Sequence, residues 1–230
     1  MTAQLVRLRE TASTQDELHH LAEAGAPAGT AVVAESQASG RGSRGRSWAS
    51  APGGLWLSVL WRGPCDLAQL LSIRAGLAIA RLLDGLGGLP PIRLKWPNDI
   101  IVDDAKVGGI LCEGRWGATN GWVAVGLGLN VTNPLPSDAR FPPASLSQWR
   151  PDLDAAALAV PVAAALGFLP ATPALSSEEL EAWQERDWLA GRTLRAPLTG
   201  VIRGMSAAGR LLLDTDAGRL ELVASDGIEV

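Results

Sequence analysis

The sequence predicts an α+β fold, a sheet-and-helix body followed by a small barrel, and three observations carry that expectation. Residues 55–61 (LWLSVLW) are apolar in both alternating sets, as expected of a strand covered on both faces. The stretch from Asp66 to about Leu83 is apolar nearly all round at helical spacing, which predicts a helix central to the core. Beyond Gly191, short alternating segments at 193–196, 201–203, 210–214 and 219–223 are divided by Gly204, Gly209 and Gly218. Short strands with such frequent turns describe a small barrel. The boundary is expected near Trp188, giving units 1–187 and 188–230.

Taken in order, the chain opens with an extended piece at 5–8. Thr14 and Glu17 then have the spacing of a capping box. The helix they start carries Leu18, Leu21 and Ala22 on one face and stops at Gly25. His19 and His20 are adjacent on it and point in different directions, which argues against a metal site, and both are expected at the surface. Residues 31–34 (AVVA) predict a buried strand that delivers Gln37 into the loop Gly40-Arg41-Gly42-Ser43-Arg44-Gly45-Arg46-Ser47-Trp48. Asp66 is expected to cap the long helix, and Gly85, Gly87 and Gly88 to stop it before Pro90-Pro91 forces an extended exit.

The loop after Gln37 has no side chain suited to a core. Its glycines let backbone approach a ligand closely, and its arginines present planar forks that grip paired oxygens. In a chain of net charge −4 this local cluster does not follow from overall composition. By itself it describes either a solvated surface loop or a segment that wraps an anion. Ser13 and Thr14 are similarly open between helix capping and binding of a small polar ligand at a helix N-terminus.

A second element follows at 92–111. A strand carrying Arg93 and Lys95 runs into the corner Trp96-Pro97-Asn98-Asp99, and a hairpin turning at Asp103-Asp104 returns Lys106 beside Gly108 and Gly109. Two lysines, an amide and a carboxylate at the ends of apolar strands suit a phosphate and its metal ion. Another apolar strand, 122–131, carries Gly126 and Gly128 and ends at Asn130; its glycines fit a bulge or close strand packing as well as a site.

With 47% hydrophobic and 19% charged residues, the 230-residue chain can bury a sizeable core. Its acidic balance argues against a general nucleic-acid or anionic-membrane binder. Cys65 and Cys112 form no metal-spaced pair and fit a reducing cytoplasm. Residues 1–10 lack the apolar run of a secretory signal. The uncharged stretch 155–175 is mostly alanine and holds Pro161, Pro170 and Pro173, so it predicts a buried helix after Asp154 and a proline-rich turn rather than a membrane span. Ser176-Ser177-Glu178-Glu179 is expected to cap a further helix holding Leu180, Trp183 and Trp188.

The runs SQASGRGSRGRSW, RLKWPNDIIVDDAKVGGIL and GLGLNV, in that order, resemble the biotin protein ligase (biotin–[acetyl-CoA-carboxylase] ligase) family from about Ser13 to Asn130. The resemblance implies a mixed β-sheet backed by helices, related to the catalytic core of class II aminoacyl-tRNA synthetases, followed by an SH3-like barrel. It implies an enzyme that joins biotin to ATP as biotinyl-5′-AMP with release of pyrophosphate. A lysine of a biotin carboxyl carrier protein, such as an acetyl-CoA carboxylase subunit, then takes the biotinyl group and releases AMP. Biotin and ATP are the implied substrates, with Mg2+ as cofactor, in the cytoplasm and away from membranes, as a monomer or homodimer. Only a dozen residues precede Ser13 in this sequence, so a form without the family's N-terminal helix-turn-helix, and without DNA binding, is expected.

Carried over residue by residue, the resemblance places Ser13, Thr14, Gln15, Gln37, Gly40, Arg41, Gly42, Ser43, Lys106 and Gly109 around biotin. Arg44, Arg46, Trp48, Lys95, Asn98, Asp99, Lys106 and Asn130 would face ATP or the adenylate. Lys106, Arg41 and Arg46 would offset the repulsion between the reacting anions, and Asp99 would serve the metal. The glycine-rich loop is expected to order when ligand binds. The family's common loop is GRGRRGR, and this chain has Ser43 at a basic position, which predicts weaker retention of the adenylate. Same-fold lipoate ligases or octanoyltransferases, and a non-enzymatic nucleic-acid module, are the alternatives.

Overall fold

The computed structural model describes residues 4–116, 121–137, 139, 141–223 and 228. Residues 1–3, at the start of the segment read for a signal sequence, lie outside these. Seven strands form one mixed sheet: β1 (Leu5–Thr11), β2 (Ala31–Gln37), β3 (Leu55–Arg62), β4 (Ile92–Lys95), β5 (Asp99–Val102), β6 (Ala105–Trp116) and β7 (Gly121–Leu129). Their spatial order is β1-β2-β3-β7-β6-β5-β4; β1 and β2 are parallel and the remaining pairs antiparallel. Among the described residues four helices accompany them: α1 (Thr14–Glu23), α2 (Ala68–Leu86), α3 (Ala155–Gly167) and α4 (Ser177–Arg186). Strands β8 (Thr193–Leu194), β9 (Gly200–Met205), β10 (Leu211–Thr215) and β11 (Gly218–Leu222) make a second, antiparallel sheet in the order β11-β10-β9-β8.

The two faces of the large sheet are used differently. Leu55, Leu57, Val59 and Trp61 of β3 and Val123, Val125, Leu127 and Leu129 of β7 point to the main core with α2 and α3. That core runs on without a break into Leu194, Ile202, Leu211 and Leu213 of the small sheet. On the opposite face a separate small cluster joins Val32, Leu60, Trp122 and Ala124 to Leu18 and Ala22 of α1. Helix α1 covers only that end of the face. Farther along, the same face is floored by glycine: Asp99 pairs with Gly109, Gly109 with Gly128, and Gly128 with Trp56.

Several local expectations are corrected. Ser13 rather than Thr14 caps α1, its Oγ accepting from the Gln15 amide at 3.3 Å, while Glu17 accepts from the Thr11 hydroxyl at 2.8 Å. His19 is not at the surface but 1% exposed, because its Nδ1 accepts the Trp122 indole N–H at 2.9 Å. Strand β1 runs on to Thr11, drawn out by its parallel register with β2. Asp66 does not cap α2, which follows a short 3-10 turn at Cys65–Leu67, includes Gly85, and ends at Gly87 with φ 67°. Helix α3 is buried on one face only, with Val160 58% exposed; its uniform alanine content conceals which face is inside. Trp188 lies beyond α4, which closes its capping box through Ser176 and Glu179 as expected. Among the described residues no helix is long and apolar enough to cross a membrane.

Arg74 holds the segment between α3 and α4. This 2%-exposed guanidinium donates to Glu179 at 2.7 Å and to the carbonyls of Pro170, Thr172 and Ala174. A buried charge persists only when its donors are met, and here they are.

Candidate functional site

The residues that the resemblance carries over to biotin and ATP all line one cleft of about 1330 Å³ on the glycine-floored face. A β-carbon at Gly126 would come within 2.5 Å of Gln15 Nε2, and one at Gly128 within 2.6 Å of Trp48 Nε1. These glycines therefore make room for side chains that enter the cleft, not for a bulge.

At the α1 end the cleft is neutral and buried. Ser58, Thr14, Gln37 and Ser50 form a chain of hydrogen bonds. Thr14 Oγ1 donates to Gln37 Oε1 at 3.2 Å, which also accepts the Thr14 amide at 2.9 Å. A hydroxyl has one proton, so in the 2.8 Å contact between Thr14 Oγ1 and Ser58 Oγ the serine is the donor. Gln37 Nε2 donates to Ser50 Oγ at 2.8 Å, and Ser50 donates to the Trp48 carbonyl at 3.1 Å. The chain thus runs from the middle of the sheet to the end of the glycine-arginine loop. Gln15 donates through Nε2 to the Leu111 carbonyl at 2.7 Å, while its buried Oε1 has no partner among the described residues. Ser58 and Ser50 escaped the sequence reading. A serine inside a strand covered on both faces was the available signal, since a buried hydroxyl needs a partner.

The loop folds back on itself. The Gly42 amide donates to the Arg46 carbonyl at 2.7 Å, and the Trp48 amide to the Gly40 carbonyl at 2.8 Å. Arg44 and Gly45 take left-handed conformations at its tip, with φ 62° and 70°. Arg46 turns inward on the loop, its Nη2 donating to Ser43 Oγ at 2.9 Å and its Nε to the Ser43 carbonyl at 3.1 Å. Arg41 is clamped between Asp16 at 2.7 Å and Glu113 at 2.8 Å. Those hydrogen bonds raise the guanidinium pKa further and hold the Asp16 carboxyl below its ordinary value. Arg41 therefore fastens the loop to α1 and β6, with its charge already balanced.

The other end of the cleft is charged. Asp99 pairs through Oδ1 with Lys106, and its Oδ2 lies 3.7 Å from Lys95 Nζ. Burial is the largest effect on Lys95 and holds its pKa below the ordinary lysine value, against the pull of Asp99. Lys106 Nζ stands 5.0 Å from the Trp48 ring centroid, and Lys95 Nζ 5.2 Å from that of Phe141. The corner is tied to β6: Asn98 Nδ2 donates to the Ile110 carbonyl at 2.7 Å, and the Ile110 amide donates to the Asn98 carbonyl at 2.9 Å. Asn130 is 5% exposed and spans to the Ala144 carbonyl and the Asn133 side chain. Phe141, Trp188 and Arg192 complete this wall and were missed, because they come from distant segments with no motif of their own.

A magnesium ion needs oxygen ligands, and Asp99 has both of its oxygens turned to ammonium groups. Among the described residues no cluster of three or more His, Cys, Asp or Glu could hold a metal.

Residues 8–130 match the model of the biotin/lipoate A/B protein ligase family. The chain is 31% identical over 232 residues to the bifunctional ligase/repressor BirA of Bacillus subtilis, covering 93% of this chain and 70% of that protein. It is likewise 31% identical over 246 residues to biotin–[acetyl-CoA-carboxylase] ligase of Mycobacterium tuberculosis, covering 99% and 89%. A solved structure of biotin protein ligase from Aquifex aeolicus in complex with biotin and ATP superposes with a TM-score of 0.75 at 28% identity, covering 99% of this chain and 98% of that one.

Proposed function

This chain belongs to the biotin/lipoate A/B protein ligase family, and we propose on that footing that its cleft carries out ATP-dependent biotinylation of a carrier-protein lysine. One observation carries the reading: a buried neutral hydrogen-bond chain and a Lys-Asp-Lys cluster share one cleft over a glycine floor. The neutral end suits the ureido ring of biotin, which has both N–H donors and a carbonyl. Gln15 Oε1, buried and without a partner among the described residues, calls for such a donor. A lipoyl or octanoyl tail has none to give, so the same atom argues against those substrates.

The first step joins two anions, the biotin carboxylate and the α-phosphate of ATP, with pyrophosphate leaving. Lys106 and Lys95 offset their repulsion, with Asp99 holding the two ammonium groups in place until phosphate oxygens compete for them. Magnesium enters as part of the substrate, MgATP. Arg41 keeps the loop against α1, while Arg46 and Arg44 bring positive charge to its exposed rim. No protein nucleophile is needed, because the substrate carboxylate attacks. In the second step the carrier ε-amine attacks the mixed anhydride and AMP leaves. Residues 188–230, read as a second unit of SH3-like barrel type, close the nucleotide end through Trp188 and Arg192.

The test is intact-mass analysis of a biotin carboxyl carrier domain incubated with the protein, biotin and MgATP. A gain of one biotinyl group that depends on ATP supports the reading. Adenylate formed from biotin without transfer means that the carrier is wrong. Neither product from folded protein sinks it.

A further inference from the structure

The C-terminal segment reaches the surroundings of Lys95 and Asp99 through two places, Trp188 and the turn at Gly209. The Trp188 amide donates to the Leu94 carbonyl at 2.9 Å. The Phe141 ring, which faces Lys95 Nζ, meets the Trp188 ring edge-on at 5.3 Å. Most telling is the turn between β9 and β10. There the Gly209 carbonyl accepts from Trp96 Nε1 at 2.9 Å and from Gln69 Nε2 of α2 at 2.6 Å. Trp96 is 1% exposed and sits between Lys95 and Pro97 at the start of the corner. Gly209 has φ +77°, and a β-carbon on it would lie 2.8 Å from Ile73 and 3.0 Å from Leu70, so the turn rests directly on α2.

We propose that this turn is the positioning element of the nucleotide end of the cleft. Trp96 and Gln69 are positioning residues that act on Lys95 and Asp99 by sharing the Gly209 carbonyl. The role rests on the functional reading above, which assigns that corner to ATP. Two donors saturate one carbonyl and fix the turn between α2 and the corner. The biotin end is carried on α1 and β2, toward the opposite edge of the sheet order, so the effect is confined to ATP.

The experiment is steady-state kinetics of the full chain with biotin, MgATP and carrier domain, comparing wild type, Trp96→Phe, Gln69→Met and the double variant. Biotin affinity is measured calorimetrically alongside. Trp96→Phe keeps an aromatic ring but removes the indole N–H together with the pyrrole part of a buried side chain, whereas Gln69→Met removes the donor at nearly constant volume; the first is expected to lower kcat/KM for ATP about tenfold, and the second about threefold. The double variant falls short of the product of the two, since both act on one acceptor. Biotin affinity stays within about twofold in each, the split that general loosening of the fold would not produce. Unchanged kcat/KM for ATP in folded variants, or equal shifts for ATP and biotin, overturns the proposal. If Trp96→Phe fails to fold, Gln69→Met decides alone. Wild type that neither binds biotin nor forms adenylate overturns the functional reading before any substitution is made, and the positioning role falls with it.

Discussion

The two ends of the cleft meet the same problem, polar groups removed from water, in opposite ways. Around Thr14 the groups are neutral, deeply buried and linked donor to acceptor, with Ser58 0% exposed. Around Asp99 they are charged, less deeply buried and balanced by one shared carboxylate. A neutral chain has one good arrangement and loses a partner whenever a ligand lacks the right atom. A shared carboxylate can be released by its lysines when phosphate oxygens replace it. The first end is built to discriminate and the second to exchange partners.

If that contrast holds, the largest effect follows removal of charge at the exchanging end. Lys106→Ala takes away the ammonium closest to Asp99 and to the Trp48 ring. Adenylate formation should fall about 10²–10³-fold, the range for loss of one preorganised charge-stabilising group, with biotin affinity changed far less. Rapid-quench measurement of biotinyl-AMP, paired with biotin titration, separates the two. Equal losses in both would erase the distinction between the ends.

Thr14→Val probes the discriminating end. It preserves shape but leaves Gln37 Oε1 without one donor and Ser58 without its acceptor. Leaving such groups unpaired costs about 1–3 kcal/mol, so biotin should bind roughly 10–100-fold more weakly while KM for ATP stays close to wild type. A matching rise in KM for ATP would show that the hydrogen-bond chain extends its influence across the cleft.

Legibility in the sequence follows the same division. The charged end was readable because Lys95, Asn98, Asp99 and Lys106 lie within one short run of three antiparallel strands, β4, β5 and β6, where spacing alone brings them together. The loop was readable because no core could use its residues. The neutral end was only half visible: Thr14 and Gln37 stood out beside a helix cap and a strand end, but Ser58 lies 44 residues from its partner inside an apolar run. His19 was misplaced for the same reason, since Trp122, which buries it, is 103 residues away. Gly209 was visible only as a turn between short strands and Trp188 only as a boundary, and nothing local linked either of them, or Phe141, to the cleft. Their roles exist only once the small sheet packs against α2 and β4.

Lys95 sharpens the comparison through pH. Burial lowers its pKa, so between that lowered value and the ordinary 10.5 the folded chain binds fewer protons at this position than the unfolded chain. The contribution of Lys95 to stability therefore rises with pH in this window and is lost as pH falls through the folded value. ATP recognition needs the charged form and moves the opposite way. The profile of kcat/KM for ATP should turn down at a pH below that of an ordinary lysine, and Lys95→Arg should shift this limb upward. Biotin affinity should show no such limb, because Thr14, Gln37 and Ser58 do not titrate in that range. A limb shared by both substrates would place the titrating group elsewhere.

The smallest expected effect lies in the loop that joins the two ends. Ser43 accepts Arg46 Nη2 through its hydroxyl and Arg46 Nε through its carbonyl. Ser43→Arg keeps the carbonyl contact, removes the hydroxyl one, and adds a further cation to a segment that already carries Arg44 and Arg46. Both changes turn positive charge toward the cleft, so biotinyl-AMP should escape more slowly. Screening limits the gain to a few-fold at physiological salt, and it should shrink further as salt is raised. Trapping released adenylate with a small amine reads the escape rate directly. Equal trapping by the two forms at low salt would mean that retention rests with Arg41, which Asp16 and Glu113 already hold in place, and not with the charge at the loop tip.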